Sequence, residues 1–131
     1  MEHNISVGMT HEFERVVTKE LSAEAVGSGN VAVFATPIMI AFMERAAEQC
    51  VINGLAEGCG TVGTVVNIEH CAATPLGMKV SAKAILREID GRRLVFDVEA
   101  HDEKEIIGRG VHERVIIQKE KFMARVNSKN E

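Results

Sequence analysis

The sequence predicts an α+β fold, an antiparallel sheet of about five strands wrapped around one long central helix. Three observations carry it. One long helical run begins at Thr36-Pro37 and is apolar on all sides for its first two turns. After it the hydrophobic period shortens to two, over four long segments. The linkers between those segments are short and built from turn residues.

Taken in order, residues 1–8 read as a loose end, and "THEFERVVT" (10–18) as a strand. "KELSAEAVGSGN" (19–30) combines a short helix capped by Ser22 with a glycine-rich loop, and "VAVFA" (31–35) leads into the long helix. Thr36 has the chemistry of an N-cap, and Pro37 suits the first helical position, where its missing N–H would have no partner. The helix runs to Asn53-Gly54, a pair that can end it in a left-handed turn. Its opening turns (Pro37 to Met43) carry no polar residue, which predicts burial on most sides, while Arg45, Glu48 and Gln49 restore a polar face further on.

The strands that follow are 61–72, 78–89, 92–102 and 105–118. "TPLG", "DG" and "DEK" separate them and read as hairpin turns, so a four-strand meander is expected. Residues 120–131 form a charged tail with the composition of a short terminal helix. The whole chain, 131 residues, reads as a single domain with loose ends at 1–8 and 120–131. Only the long helix is apolar enough to cover the sheet, so the arrangement is that of a hot-dog fold. One helix covers such a sheet incompletely and leaves strand edges open. A symmetric dimer, with room for further pairing into a tetramer, is the expected remedy.

Composition narrows the function. A net charge of −4, no tryptophan or tyrosine, and no basic stripe argue against nucleic acid. The longest uncharged run, 26–43, is broken by glycine, serine, asparagine and proline and is no membrane span. No signal peptide opens the chain, so a cytoplasmic location is expected. Cys50, Cys59 and Cys71 form no CxxC pair, and the five histidines show no ligand spacing, so neither a disulfide framework nor a metal is expected. "GCGTVG" matches the glycine pattern of a dinucleotide loop, but a helix precedes it and a strand follows. That is the reverse of what a pyrophosphate site needs, so it reads as a turn into a strand.

Glu44 is the residue that most needs a reason, because a carboxylate buried among apolar side chains is costly unless paired. The chain could simply be leaving the core there, near Arg45 and Glu48. His70 ends "TVVNIEH", on the same strand face as Val66 and Ile68, and so points toward the helix. Cys71 points the other way, which excludes a Cys71–His70 nucleophile pair. Thr36 sits where free N–H groups at a helix start can polarise a carbonyl. For His112 and Arg114 the inward face cannot be assigned, since both faces of "GRGVHERVII" carry polar residues. Together Thr36, Glu44 and His70 make an acyl-transfer set: the carboxylate attacks a carbonyl or activates a water, and the histidine orients or shuttles a proton.

Three blocks, "VFATPIMIAFMERAAEQCV", "VGTVVNIEHCAATPLGMKV" and "GRGVHERVII", resemble in order and spacing the hot-dog thioesterases typified by fluoroacetyl-CoA thioesterase. The resemblance extends from about residue 10 to 125 and includes the tail "KFMARV". It implies hydrolysis of a small acyl-CoA with Thr36, Glu44 and His70 as the catalytic set, Gly63 and Arg114 lining the acyl and CoA site, and a dimer. Coenzyme A enters as part of the substrate, and no separate cofactor is implied. Family members selective for fluoroacetyl carry aromatics before the threonine. Here "AEAVGSGNVAV" has none, so a different small or medium acyl group is expected.

Two other functions compete. A non-catalytic acyl-CoA-binding module would keep the pocket without needing Glu44. An enoyl-thioester hydratase would need an Asp/His pair in the loop before the helix, and none is there. Eight residues of regular helix rise about 12 Å, so if Thr36 and Glu44 share one such helix they cannot touch. Either the helix begins late, or Thr36 meets Glu44 of the partner subunit.

Overall fold

A computed structural model describes residues 2–131. Strand β1 (Thr10–Val16) is followed by a 3-10 turn (Lys19–Leu21) and the single-turn helix α1 (Ala23–Val26). The long helix α2 (Thr36–Val51) continues as a 3-10 turn (Ile52–Gly54). Then come β2 (Cys59–His70), β3 (Lys79–Asp90), β4 (Arg93–His101), β5 (Ile106–Gln118) and the terminal helix α3 (Lys119–Asn127). The expected single antiparallel sheet of five strands is present, in the order β1-β3-β4-β5-β2.

That order corrects one expectation. Only β3, β4 and β5 form a meander, joined by a two-residue turn at Gly91-Arg92 and by the Asp102–Glu105 loop. β2 pairs with β5, not β3. The segment containing "TPLG" is therefore a crossing between distant strands. Buried Thr74 anchors it: its carbonyl accepts from Phe34 N–H at 2.9 Å, and its hydroxyl donates to Asp102 at 2.8 Å. A turn signal reports local backbone preference and is silent about which strand comes next in space.

Helix α2 buries Met39, Met43, Ala46, Ala47, Cys50 and Val51, the i, i+4, i+7 and i+8 positions of one stripe. They meet Val80, Ala84 and Leu86 of β3, Leu94, Phe96 and Val98 of β4, and Ile107 and Ile116 of β5. Each large side chain buried there contributes about 1.5–3 kcal/mol. Against expectation, the opening turns are not covered on most sides. Pro37 and Ala41 are exposed, and Ile38, Ile40 and Phe42 only partly buried. β2 is an edge strand, and its Val65 and Val66 are exposed as well. The sheet of one chain therefore leaves apolar surface bare at its β2 edge and on the early turns of α2.

The expected loose N-terminus is fastened. Asn4 N–H donates to Gly54 O, and Ala56 N–H donates to His3 Nδ1 at 2.9 Å. Ser22 caps α1 as expected, accepting from Ala25 N–H at 3.2 Å. Among the described residues no helix is long and apolar enough to cross a membrane.

Candidate functional site

The structure sorts the residues of interest into two groups. The first lies where α2 begins. Ala35 is the N-cap, with extended backbone, and Thr36 is already the first helical residue. The expectation that Thr36 caps the helix is thus corrected, and its hydroxyl is released from that task. Thr36 Oγ1 instead lies 2.7 Å from His70 Nδ1. The other ring nitrogen, His70 Nε2, is buried and has no hydrogen-bond partner among the described residues. A buried polar atom without a partner is rare enough to ask what it serves. Burial also pushes the His70 pKa down, which favours a neutral imidazole.

The second group lies two turns further along α2. Glu44 Oε2 is 3.9 Å from Arg114 Nη1, and its side chain is 39% exposed against 8% for the arginine. Arg114 is held by Thr61: its Nε donates to Thr61 Oγ1 at 2.8 Å and its Nη2 to Thr61 O at 3.0 Å. Gly63 faces this cluster closely. A Cβ on it would sit 3.1 Å from Glu44 Oε2 and 3.1 Å from His112 Cε1, so any larger residue would push the carboxylate and the imidazole back by a few tenths of an ångström. His112 is fully buried, with Nδ1 2.8 Å from Val65 O and Nε2 3.1 Å from Arg114 Nη1.

A bulge in β2 explains how one strand serves both groups. The register with β5 shifts between Gly63 and Val65. Before the shift Thr61 and Gly63 lie on the face that meets α2. After it the inward set becomes Val66, Ile68 and His70, as the period predicts. On β5 the inward face carries His112, Arg114 and Ile116, which settles the face the sequence left open. Gly58, in the glycine run that mimics a dinucleotide loop, is a left-handed turn residue (φ 82°) leading into β2.

Within one chain the two groups are separate. Thr36 and Glu44 lie on the same regular helix, about 12 Å apart along its axis. Gly63 and His70 are seven residues apart on β2, roughly 20 Å. Glu44 is therefore paired with Arg114 and, in its own chain, with neither Thr36 nor His70. His112 was missed from the sequence as a member of the cluster. The available signal was the alternation of His112, Arg114 and Ile116 along one strand face. Burial pushes the Cys50 pKa up to about 11. Among the described residues no cluster of three or more histidine, cysteine or acidic side chains could hold a metal.

The two buried imidazoles predict a pH dependence. Burial holds the pKa of both His70 and His112 below the ordinary histidine value of 6.5. The unfolded chain therefore binds more protons than the fold once the pH drops below about 6.5. Stability is expected to be flat above that pH and to fall on acidification below it, through the range where the folded imidazoles finally protonate. Thermal melts between pH 8 and 5 check this, and a gain in melting temperature on acidification would contradict it.

A profile of the fluoroacetyl-CoA-specific thioesterase family matches residues 17–120. The fluoroacetyl-CoA thioesterase of Streptantibioticus cattleyicolor is 45% identical over 97 residues, which are 74% of this chain and 70% of that protein. A solved fluoroacetyl-CoA thioesterase, a threonine-to-serine variant in complex with acetyl-CoA, superposes with a TM-score of 0.91 at 35% identity, over 97% of this chain and 100% of that one. A thioesterase-superfamily protein of Thermus thermophilus gives a TM-score of 0.89 at 34% identity, over 96% of this chain and 93% of its own.

Proposed function

The chain belongs to the fluoroacetyl-CoA-specific thioesterase family of hot-dog proteins, and we propose that it hydrolyses a small or medium acyl-CoA thioester to the carboxylic acid and coenzyme A. The observation that carries most weight at the site is the Thr36–His70 pair with a partnerless Nε2. In the tautomer with its proton on Nε2, the imidazole accepts from the Thr36 hydroxyl at Nδ1. That N–H is then a donor waiting for a carbonyl oxygen. The start of α2 beside it adds one backbone N–H, that of Thr36, since Pro37 has none and Ile38 N–H donates to Ala35 O at 3.1 Å. Glu44 takes a proton from water as the water adds to the thioester carbon. The tetrahedral oxyanion rests on the His70 N–H, and its collapse expels coenzyme A as the thiolate.

This chemistry needs Glu44 near His70, which one chain does not provide. We propose that a homodimer does. Two β2 edges paired antiparallel about a two-fold axis between Val66 and Asn67 bring His70 opposite Gly63 of the partner subunit. Glu44 of the partner subunit lies against that glycine. Such pairing covers the bare Val65 and Val66, satisfies the open strand edge, and completes one site per chain from both chains. Arg114, behind Glu44, keeps a positive charge beside the carboxylate.

The acyl group is proposed to differ from fluoroacetyl. Phe34, the first aromatic after Phe13, is 1% exposed and packs against Phe42, with ring centroids 5.7 Å apart. It is committed to the core and cannot cover a substrate. The test is a panel of short to long acyl-CoA thioesters, followed by loss of the thioester absorbance. Turnover with a maximum among small or medium chains is expected. Tight coenzyme A binding without turnover of any member would mean a binding module instead.

A further inference from the structure

We propose that His112 is a positioning residue: as a neutral imidazole protonated on Nδ1, it fixes the Arg114 guanidinium that faces the Glu44 carboxylate. The inference rests on the reading above, in which Glu44 is the reacting carboxylate.

Two contacts assign the proton. His112 Nδ1 is 2.8 Å from Val65 O, and a carbonyl oxygen can only accept, so Nδ1 carries hydrogen. His112 Nε2 is 3.1 Å from Arg114 Nη1, and a guanidinium can only donate, so Nε2 is bare. Of the three states open to the ring, only the neutral Nδ1–H tautomer satisfies both. The arginine is thereby held at three nitrogens: Nε and Nη2 by Thr61, and Nη1 by His112. One N–H of Nη1 remains, with Glu44 Oε2 3.9 Å away. A guanidinium on a free stem would sample many rotamers, whereas this one presents a fixed charge.

The surroundings keep His112 in that state. Phe96 of β4 stacks against its ring at 6.5 Å between centroids, and β2 offers the Val65 carbonyl, the Gly63 backbone and the uncharged Val66 across the register. Burial is the largest influence against protonation, with Arg114 adding to it, while the Val65 carbonyl, then Glu44 from α2 and Glu113 from its own strand, act in the other direction. A protonated ring would set an N–H against the Nη1 N–H and release the arginine.

Two substitutions separate positioning from packing. His112→Gln can place an amide oxygen where Nε2 was and still accept from Arg114. His112→Asn keeps a donor for Val65 O but is too short to reach the arginine. With the acyl-CoA that wild type turns over best, His112→Asn is expected to lose about tenfold or more in kcat with KM changed less than about threefold, while His112→Gln keeps most of the turnover. Equal losses in both variants, or wild-type kcat in His112→Asn, would overturn the proposal. Imidazole 15N spectra of the wild-type protein give an answer independent of turnover. A neutral, Nδ1-protonated His112 at pH 7 is expected, and a proton on Nε2 would overturn the proposal whatever the kinetics. Absence of turnover in wild type would instead sink the thioesterase reading beneath it.

Discussion

Glu44→Gln is expected to lower kcat for acyl-CoA hydrolysis by about a hundredfold to ten-thousandfold, the range for loss of a positioned general base. The amide has nearly the same size but cannot take a proton from water. Glu44 is partly exposed and its ion pair with Arg114 is long, at 3.9 Å, so the fold should tolerate the change. KM is expected to stay within about threefold, because the carboxylate acts on the attacking water more than on the bound thioester. Steady-state kinetics together with a melting curve check both halves. A variant that keeps wild-type kcat would remove Glu44 from the chemistry.

Phe96→Ala is expected to cost about 3–5 kcal/mol of stability, the usual range for truncating a fully buried phenylalanine. Phe96 is 0% exposed and sits in the main core among side chains of β3, β5 and α2. It also stacks against His112, so the cavity opens directly behind the Arg114–Glu44 cluster. For a domain whose whole stability is about 5–15 kcal/mol, this loss is severe. Urea denaturation measures it. A loss below about 1 kcal/mol would mean that the core relaxes to fill the space, contrary to the close packing expected of protein interiors.

Much of this molecule was legible in its sequence, and the failures share a cause. The long helix and the strands fall within a few residues of where periodicity puts them, because burial of one face imposes that period on the chain. The strand order was not legible. "TPLG" has the chemistry of a hairpin turn, yet it lies on a crossing from the β2 edge to β3, anchored by a buried Thr74 that no local signal announces. Thr36 was legible as a helix start but not as a partner of His70, because a threonine one residue before a proline fits either the N-cap or the first helical position. Gly63 and His70 share a face only because of the bulge between them, and a bulge leaves no trace in hydrophobic alternation. His112 stayed hidden because its strand is polar on both faces, and the usual contrast between core and solvent is absent where a strand lines a site.

We propose that one catalytic site takes Thr36 and His70 from one chain and Glu44 from the other. Subunit complementation tests it most directly. Glu44→Gln and His70→Asn homodimers should each be inactive. When the two are unfolded together and refolded at equal amounts, half the dimers should be mixed, and each mixed dimer should carry one intact site. Activity is expected to return to about a quarter of wild type, as random pairing in a symmetric dimer requires. A mixture that assembles mixed dimers yet stays as inactive as its parents would mean that Glu44 and His70 act within one chain, and would rule out the shared site.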